Sequence, residues 1–267
     1  MRSPVKARTF MSESWTLSPE PRRPWLTVFV PAFNEREGLA QSVWRVMAVL
    51  DRFGVAAEIL IVNDASTDET GVVAAALADL DPRVRCITHP INRGLGSGLT
   101  TAIAEARGDW LILVPADLAI DPVDLRRYFE SSSNADIVVG VADVHVDYSW
   151  FRRLVHAANI RVVQILFGMR ERQFQYICLY RLAVLRMLQI EYIRSAFFHA
   201  EVLIKAKALG ARLSEVDVRY RPRLTGKAGG ARSTLIVHTL RDMADFWLRG
   251  GANTVRRQAA PSRRSLG

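Results

Sequence analysis

The sequence predicts an α/β protein, a mostly parallel sheet flanked by helices and closed by amphipathic helices near the C-terminus. Three observations carry this. Aliphatic runs alternate with segments of helical apolar spacing from Trp25 to Val141, the order that builds βαβ units. Several runs are apolar throughout rather than alternating, as in strands buried on both faces. The 267 residues, 49% of them hydrophobic, are enough to bury one core of this kind.

Taken in order, Trp25–Pro31 reads as a buried strand. Glu37–Phe53 spaces Leu39, Val43, Val46, Met47 and Leu50 as a helix, with Asn34 and Glu37 as its N-cap pair. Glu58–Asn63 is a second strand. Ser66 with Glu69 has capping-box spacing and opens a helix that runs to about Leu80. Val84–Thr88 is a short strand. A glycine-rich loop follows, then a helix over Leu99–Ala106 and a strand over Trp110–Val114. Asp121-Pro122 supplies an N-cap and a proline at the first helical position. Ala135–Val141 is the fifth strand. The second half is less regular. Ser149–Phe167, His199–Leu209 and Ser233–Trp247 read as helices, with a strand near Arg212–Tyr220. The domain therefore spans 25–249, between a basic N-terminal arm (1–24) and a basic, disordered tail (250–267).

The formal net charge of +9 points to an anionic partner: nucleotide phosphates, acidic lipid or nucleic acid. Charge alone does not choose among them, but no nucleic-acid-binding motif is present. Cys86 and Cys178 stand in no metal spacing, and the five histidines form no zinc cluster. The arm carries Arg2, Lys6, Arg8, Arg22 and Arg23 with no apolar run, unlike a secretory signal. No apolar stretch reaches eighteen residues, so a membrane contact is expected to be peripheral. Ser149–Arg172 sets arginines among Leu154, Val155, Ala158, Val162, Ile165 and Leu166. It is either an interfacial helix on an anionic surface or an ordinary amphipathic helix packed on the core.

In parallel sheets the ligand crevice lies beyond the carboxyl ends of the strands. Three segments fall there: Pro31–Glu35, Asn63–Asp68 and Pro115–Asp117. Asp64 ends an apolar strand, where a carboxylate needs a partner or a ligand. Asp117 follows a run of aliphatics and precedes Leu118-Ala119-Ile120, a setting that favours a ligand or metal role over solvated surface. The loop Asn92-Arg93-Gly94-Leu95-Gly96-Ser97-Gly98 lacks both the dinucleotide fingerprint and the P-loop ending.

Together these segments resemble glycosyltransferase family 2, which has the nucleotide-binding fold called GT-A. The resemblance covers roughly residues 26–248. Val30-Pro31-Ala32-Phe33-Asn34-Glu35 is similar to the family's VPxxNE motif, and Ile61–Asp68 to its VDDgSxD motif. Asn92–Gly96 matches NxGxG, and Ala106–Asp109 followed by a strand and Asp117 matches AxGd…DxD. Phe198–Ala206, Ser214–Val218 and Arg223-Leu224-Thr225-Gly226-Lys227 resemble the dolichol-phosphate mannose synthase-like branch, whose acceptor is a polyprenyl phosphate. The resemblance implies that Pro31, Phe33, Asn34, Glu35, Val62, Asp64, Asn92 and Gly94 hold the nucleotide-sugar. Ala116 and Asp117 would face the diphosphate and its Mg²⁺ or Mn²⁺, with Asp117 the metal ligand. Arg223 and Lys227 would meet phosphate. The sequence departs from the family at Asn63 and Pro115, each where the family has an Asp, and at Ala119, Tyr176-Ile177 and Gly229.

The implied activity is an inverting transfer of a hexose from a GDP- or UDP-sugar to a polyprenyl phosphate, at the cytoplasmic face of a membrane. Charge built on the leaving diphosphate needs a cation, either a metal or Arg and Lys. A phosphate acceptor needs no strong base. An alcohol acceptor does, and Glu201 is then the candidate, unless it is a solvent-facing acid on a helix. The alternatives are a family 2 enzyme with a soluble sugar or glycan acceptor, and a degenerate subunit that binds nucleotide-sugar without turnover. A homo-oligomer is compatible with each.

Overall fold

Leu26–Ala32 (β1) is apolar on both faces and almost wholly buried. It sits centrally, pairing in parallel with Ala57–Asn63 (β2) on one side and Trp110–Leu113 (β4) on the other. Val84–Thr88 (β3) continues the sheet beyond β2, again parallel. Beyond β4 come Cys178–Arg181 (β6), antiparallel to both its neighbours, then Ile137–Ala142 (β5) and Leu213–Val218 (β7). The order is β3-β2-β1-β4-β6-β5-β7. This computed structural model describes residues 23–118, 120–142, 150–174, 177–219 and 233–251. The arm expected over 1–24 and the tail over 250–267 therefore lie almost entirely outside the described residues.

Helices cover both faces of the sheet. Leu39–Arg52 (α1), Thr70–Leu80 (α2) and Leu125–Ser131 (α4) bury Leu39, Val43, Met47, Leu77, Leu125 and Tyr128 against one face. Leu95–Glu105 (α3), Trp150–Phe167 (α5), Leu182–Arg186 (α6), Phe197–Ala208 (α7) and Ser233–Leu248 (α8) pack on the other, around Phe29, Leu99, Val163, Phe197 and Phe246. Each large side chain removed from water there contributes roughly 1.5–3 kcal/mol. Of the C-terminal helices, α8 is amphipathic, with Met243 and Phe246 buried while Val237, Leu240 and Trp247 face outward. By contrast α7 is buried along nearly its whole length, including Glu201 and Lys205, as a helix enclosed by neighbours must be.

The structure corrects four local expectations. Asn34 and Glu37 do not cap α1, whose N-cap is Gly38. Ser66 and Glu69 do not box α2; the N–H of Thr70 is taken by Asp68 Oδ1 at 3.0 Å. The glycine-rich segment is not wholly loop, because α3 starts at Leu95, four residues before the expected Leu99. Neither β6 nor α6 is expected from the sequence. Asp121 does accept from the N–H of Val123 as predicted, capping a single 3₁₀ turn (Pro122–Asp124) that leads into α4.

Candidate functional site

Three loops leave the carboxyl ends of β1, β2 and β4 side by side. Asp64 N–H donates to Ala32 O at 2.9 Å and Val114 N–H to Phe29 O at 2.9 Å, so the loops inherit the strand register. Each loop contains one residue with left-handed backbone: Asn34 (φ 56), Ala65 (φ 57) and Leu118 (φ 48). Among the described residues these are the non-glycine residues in that region. Such conformations cost of order 1–3 kcal/mol and concentrate where a structure is built around a ligand.

The loops are tied to one another. Asn34 N–H donates to Ser66 Oγ at 3.0 Å, and Thr67 N–H donates to Asn34 Oδ1 at 2.8 Å. Glu35 N–H donates to Thr70 Oγ1 at 2.8 Å. The first two of these bonds use Ser66 Oγ and Asn34 Oδ1, the side-chain oxygens that the two expected helix caps would have used. On the far side Ser42 Oγ donates to Ala116 O, pinning α1 to the Pro115–Asp117 turn.

Between the loops lies an open groove lined by Pro31, Phe33, Glu35, Val62, Asp64, Gly94, Ala116 and Asp117, all of them among the sequence candidates. Ala32, Leu95, Gly98 and Pro115 also line it. Phe33 is an exposed aromatic at its edge. Two further candidates stand apart. Asn34 serves the loop-to-loop bonds, and Asn92 is an exposed loop residue outside the lining. Arg223 and Lys227 lie outside the described residues. Arg219, last before that stretch, is held by Asp124 and Asp121 at 3.1 and 3.3 Å, just after the Asp117 turn.

Asp64 is held in the groove wall by three donors. Its Oδ1 accepts from His89 Nδ1 at 2.7 Å and from Arg93 N–H at 2.9 Å, and its Oδ2 from Gly94 N–H at 2.7 Å. Burial pushes its carboxyl up, but these bonds outweigh burial and hold it below the ordinary carboxylate value. Gly94 has φ 82, open to glycine at no cost, and this backbone turns its N–H onto Asp64. His89 is buried, its Nε2 meeting Thr101 Oγ1 on α3 at 2.9 Å. Sequence reasoning missed His89 and Thr101, since neither belongs to a motif. The one available signal was a histidine directly after a strand.

Glu201 is not brought to the groove. It is 0% exposed. Its carboxylate accepts from the N–H groups of Glu191 and Tyr192 at 2.8 and 3.0 Å, and from Lys205 Nζ at 2.7 Å. Lys205 also donates to Gln189 O and Glu191 Oε1, both at 2.7 Å. Glu201 is therefore not a solvent-facing acid, and its carboxylate braces the segment 189–192. The residue that follows it, Ile193, backs α3, for a methyl group added at Gly96 would lie 2.3 Å from Ile193 O.

Among the described residues no cluster of three or more His, Cys, Asp or Glu side chains is arranged to hold a metal. Asp117, half-buried at the groove, still fits a hard divalent cation that draws its other oxygen ligands from phosphate and water.

Several known proteins are similar to this chain. An undecaprenyl-phosphate 4-deoxy-4-formamido-L-arabinose transferase of Edwardsiella ictaluri is 27% identical over 209 residues, 76% of this chain and 62% of the relative. The succinoglycan biosynthesis protein ExoO of Rhizobium meliloti is 32% identical over 123 residues, 46% of this chain and 34% of that protein. This chain thus spans less than two thirds of the length of either relative. Among solved structures, glucosyl-3-phosphoglycerate synthase from Mycobacterium tuberculosis, crystallised with Mn²⁺, UDP and glucosyl-3-phosphoglycerate, superposes with a TM-score of 0.65. The match has 14% identity and covers 83% of this chain and 79% of the synthase. That likeness establishes the GT-A architecture. The sequence pattern described as glycosyl transferase family 2 matches residues 27–197. These residues run from β1 to the first residue of α7 and contain every side chain of the groove, so the chain belongs to glycosyl transferase family 2.

Proposed function

We propose that this protein transfers a hexose from a nucleoside diphosphate sugar to a polyprenyl phosphate at the cytoplasmic face of a membrane, with inversion at the anomeric carbon. The observation that carries the proposal is the convergence of Asp64 and Asp117 in one groove at the ends of β1, β2 and β4. Asp64 already accepts N–H donors of the protein, and Asp117 is the carboxylate that would meet a cation. The relatives named as undecaprenyl-phosphate transferases support the acceptor class.

In this reading the base lies against Asp64, Val62 and Pro31, with Phe33 closing its edge. Glu35 reaches the ribose. Asp117 and Ala116 face the diphosphate, and Asp117 would hold Mg²⁺ or Mn²⁺, which when bound supplies positive charge to the departing diphosphate. The M. tuberculosis synthase, of the same architecture, was crystallised in complex with both Mn²⁺ and UDP, which supports that pairing. Arg223 and Lys227 add positive charge at the phosphates. A phosphate acceptor is already ionised near neutral pH and needs no general base. The engagement of Glu201 in a buried brace favours that acceptor over an alcohol.

The test is a screen of nucleoside diphosphate sugars with a polyprenyl phosphate, reading released nucleoside diphosphate. Release is expected with one donor class, dependent on the lipid. Asp117→Ala is expected to lower it roughly a hundredfold, as loss of a group that stabilises transition-state charge does. No release with any donor in the presence of lipid overturns the proposal.

A further inference from the structure

A carboxylate offers about four acceptor positions, two on each oxygen. In Asp64 the protein itself fills three: His89 Nδ1–H and Arg93 N–H on Oδ1, and Gly94 N–H on Oδ2. Because this carboxylate is ionised and accepts only, the hydrogen of His89 facing it sits on Nδ1. Nε2 is left to Thr101 Oγ1. The ring has little freedom to leave. It is 5% exposed, its backbone N–H donates to Asn63 O at 2.9 Å, and Thr101 holds its far side. The N–H groups of Arg93 and Gly94 are equally fixed, at the start of α3. One acceptor position therefore remains, on Oδ2, and Asp64 lines the groove beside Val62, Pro31 and Gly98.

Nucleobases differ in what they ask of such a carboxylate. Guanine presents two adjacent donors, N1–H and N2–H, which pair with both oxygens of a carboxylate at once. Uracil presents a single imide N–H between two carbonyls. A site with one free position satisfies the second and leaves a buried donor of the first unpaired, a penalty that reads as about tenfold or more in affinity.

We propose that His89 is a specificity-determining residue. By occupying Oδ1 it leaves Asp64 a single acceptor position and so selects a uridine diphosphate sugar over a guanosine one. The inference rests on the groove being the donor site.

The experiment is calorimetric titration of UDP and GDP into the full chain with Mn²⁺. UDP is expected to bind about tenfold or more tightly than GDP. His89→Leu, which removes the donor to Oδ1, is expected to narrow that ratio severalfold. His89→Asn, whose side-chain amide places an N–H where Nδ1 was, is expected to retain it. A merely structural role would lower both affinities together and leave the ratio unchanged. GDP binding as tightly as UDP to the unaltered chain overturns the inference without any variant, and leaves the donor groove standing. An unchanged ratio in folded His89→Leu overturns it as well. Binding of neither nucleotide overturns the donor-groove reading and this inference with it.

Discussion

Asp64, Asp117 and Glu201 are each acids among apolar neighbours in sequence, yet their surroundings give them different work. Asp64 meets three donors and is held ionised in the groove wall. Asp117 stands half-buried on a turn whose next residue, Leu118, takes a left-handed backbone. Glu201 is enclosed with Lys205 on one helix face, one turn apart. Without the Glu201 carboxylate, Lys205 keeps Glu191 and Gln189 O, but the N–H groups of Glu191 and Tyr192 lose their acceptor, at about 1–3 kcal/mol for each donor left unsatisfied. Glu201→Ala is therefore expected to lower unfolding free energy by about 2–5 kcal/mol, measured by denaturant titration. A midpoint equal to the unaltered protein, combined with lost turnover, would return Glu201 to the role of base.

At the scale of elements, the site depends on where α3 begins. The two residues just before it, Arg93 and its N-cap Gly94, turn their N–H groups onto Asp64. The second residue of α3, Gly96, lies against Ile193, directly after the segment 189–192 that Glu201 and Lys205 brace. Tyr192 of that segment donates to Asp245 Oδ2 of α8 at 2.7 Å. A side chain at position 96 meets main chain, which yields less readily than a flexible side chain. Gly96→Ala is expected to destabilise the protein by about 1–3 kcal/mol, the usual cost of overpacking. It should also weaken nucleoside diphosphate binding, because α3 carries part of the cradle of Asp64. Calorimetric affinity together with the melting temperature checks both effects, and an unchanged affinity would separate α3 from the site.

At the scale of the molecule, the helices on one face of the sheet also present apolar side chains outward. Trp150, Leu154 and Ile165 of α5, and Val237, Leu240, Trp247 and Leu248 of α8, are exposed. The two helices are neighbours in one layer, with the rings of Phe167 and Phe246 5.5 Å apart. No helix among the described residues is long and apolar enough to cross a membrane. With a net charge of +9, the expected contact is peripheral and partly electrostatic, at about 1 kcal/mol for each basic residue near an anionic surface. Vesicle sedimentation should show binding that grows with anionic lipid and weakens as salt rises. Equal, negligible binding to neutral and anionic vesicles would count against a lipid acceptor.

Much of this was legible without coordinates, because it is written in local patterns. Runs of aliphatics such as Glu58–Asn63 alternate with helical spacing, and that order alone yields a parallel sheet with its crevice at the strand ends. Eight candidates read from the motifs line one groove. What the tertiary structure alone decided depends on partners distant in the chain. Cys178–Arg181 becomes a strand because β4 and β5 each leave an edge open to it, a preference no four-residue window expresses. The caps proposed at Asn34 and Ser66 were lost to each other, since their loops meet only when β1 and β2 pair. His89 reaches Asp64 from 25 residues away, and Glu201 is enclosed by a segment that precedes its own helix. Periodicity and turn chemistry act over a few residues and can be read along a chain. The pairing of buried polar groups is settled only when the fold brings donor and acceptor together, because it is burial that makes each partner obligatory.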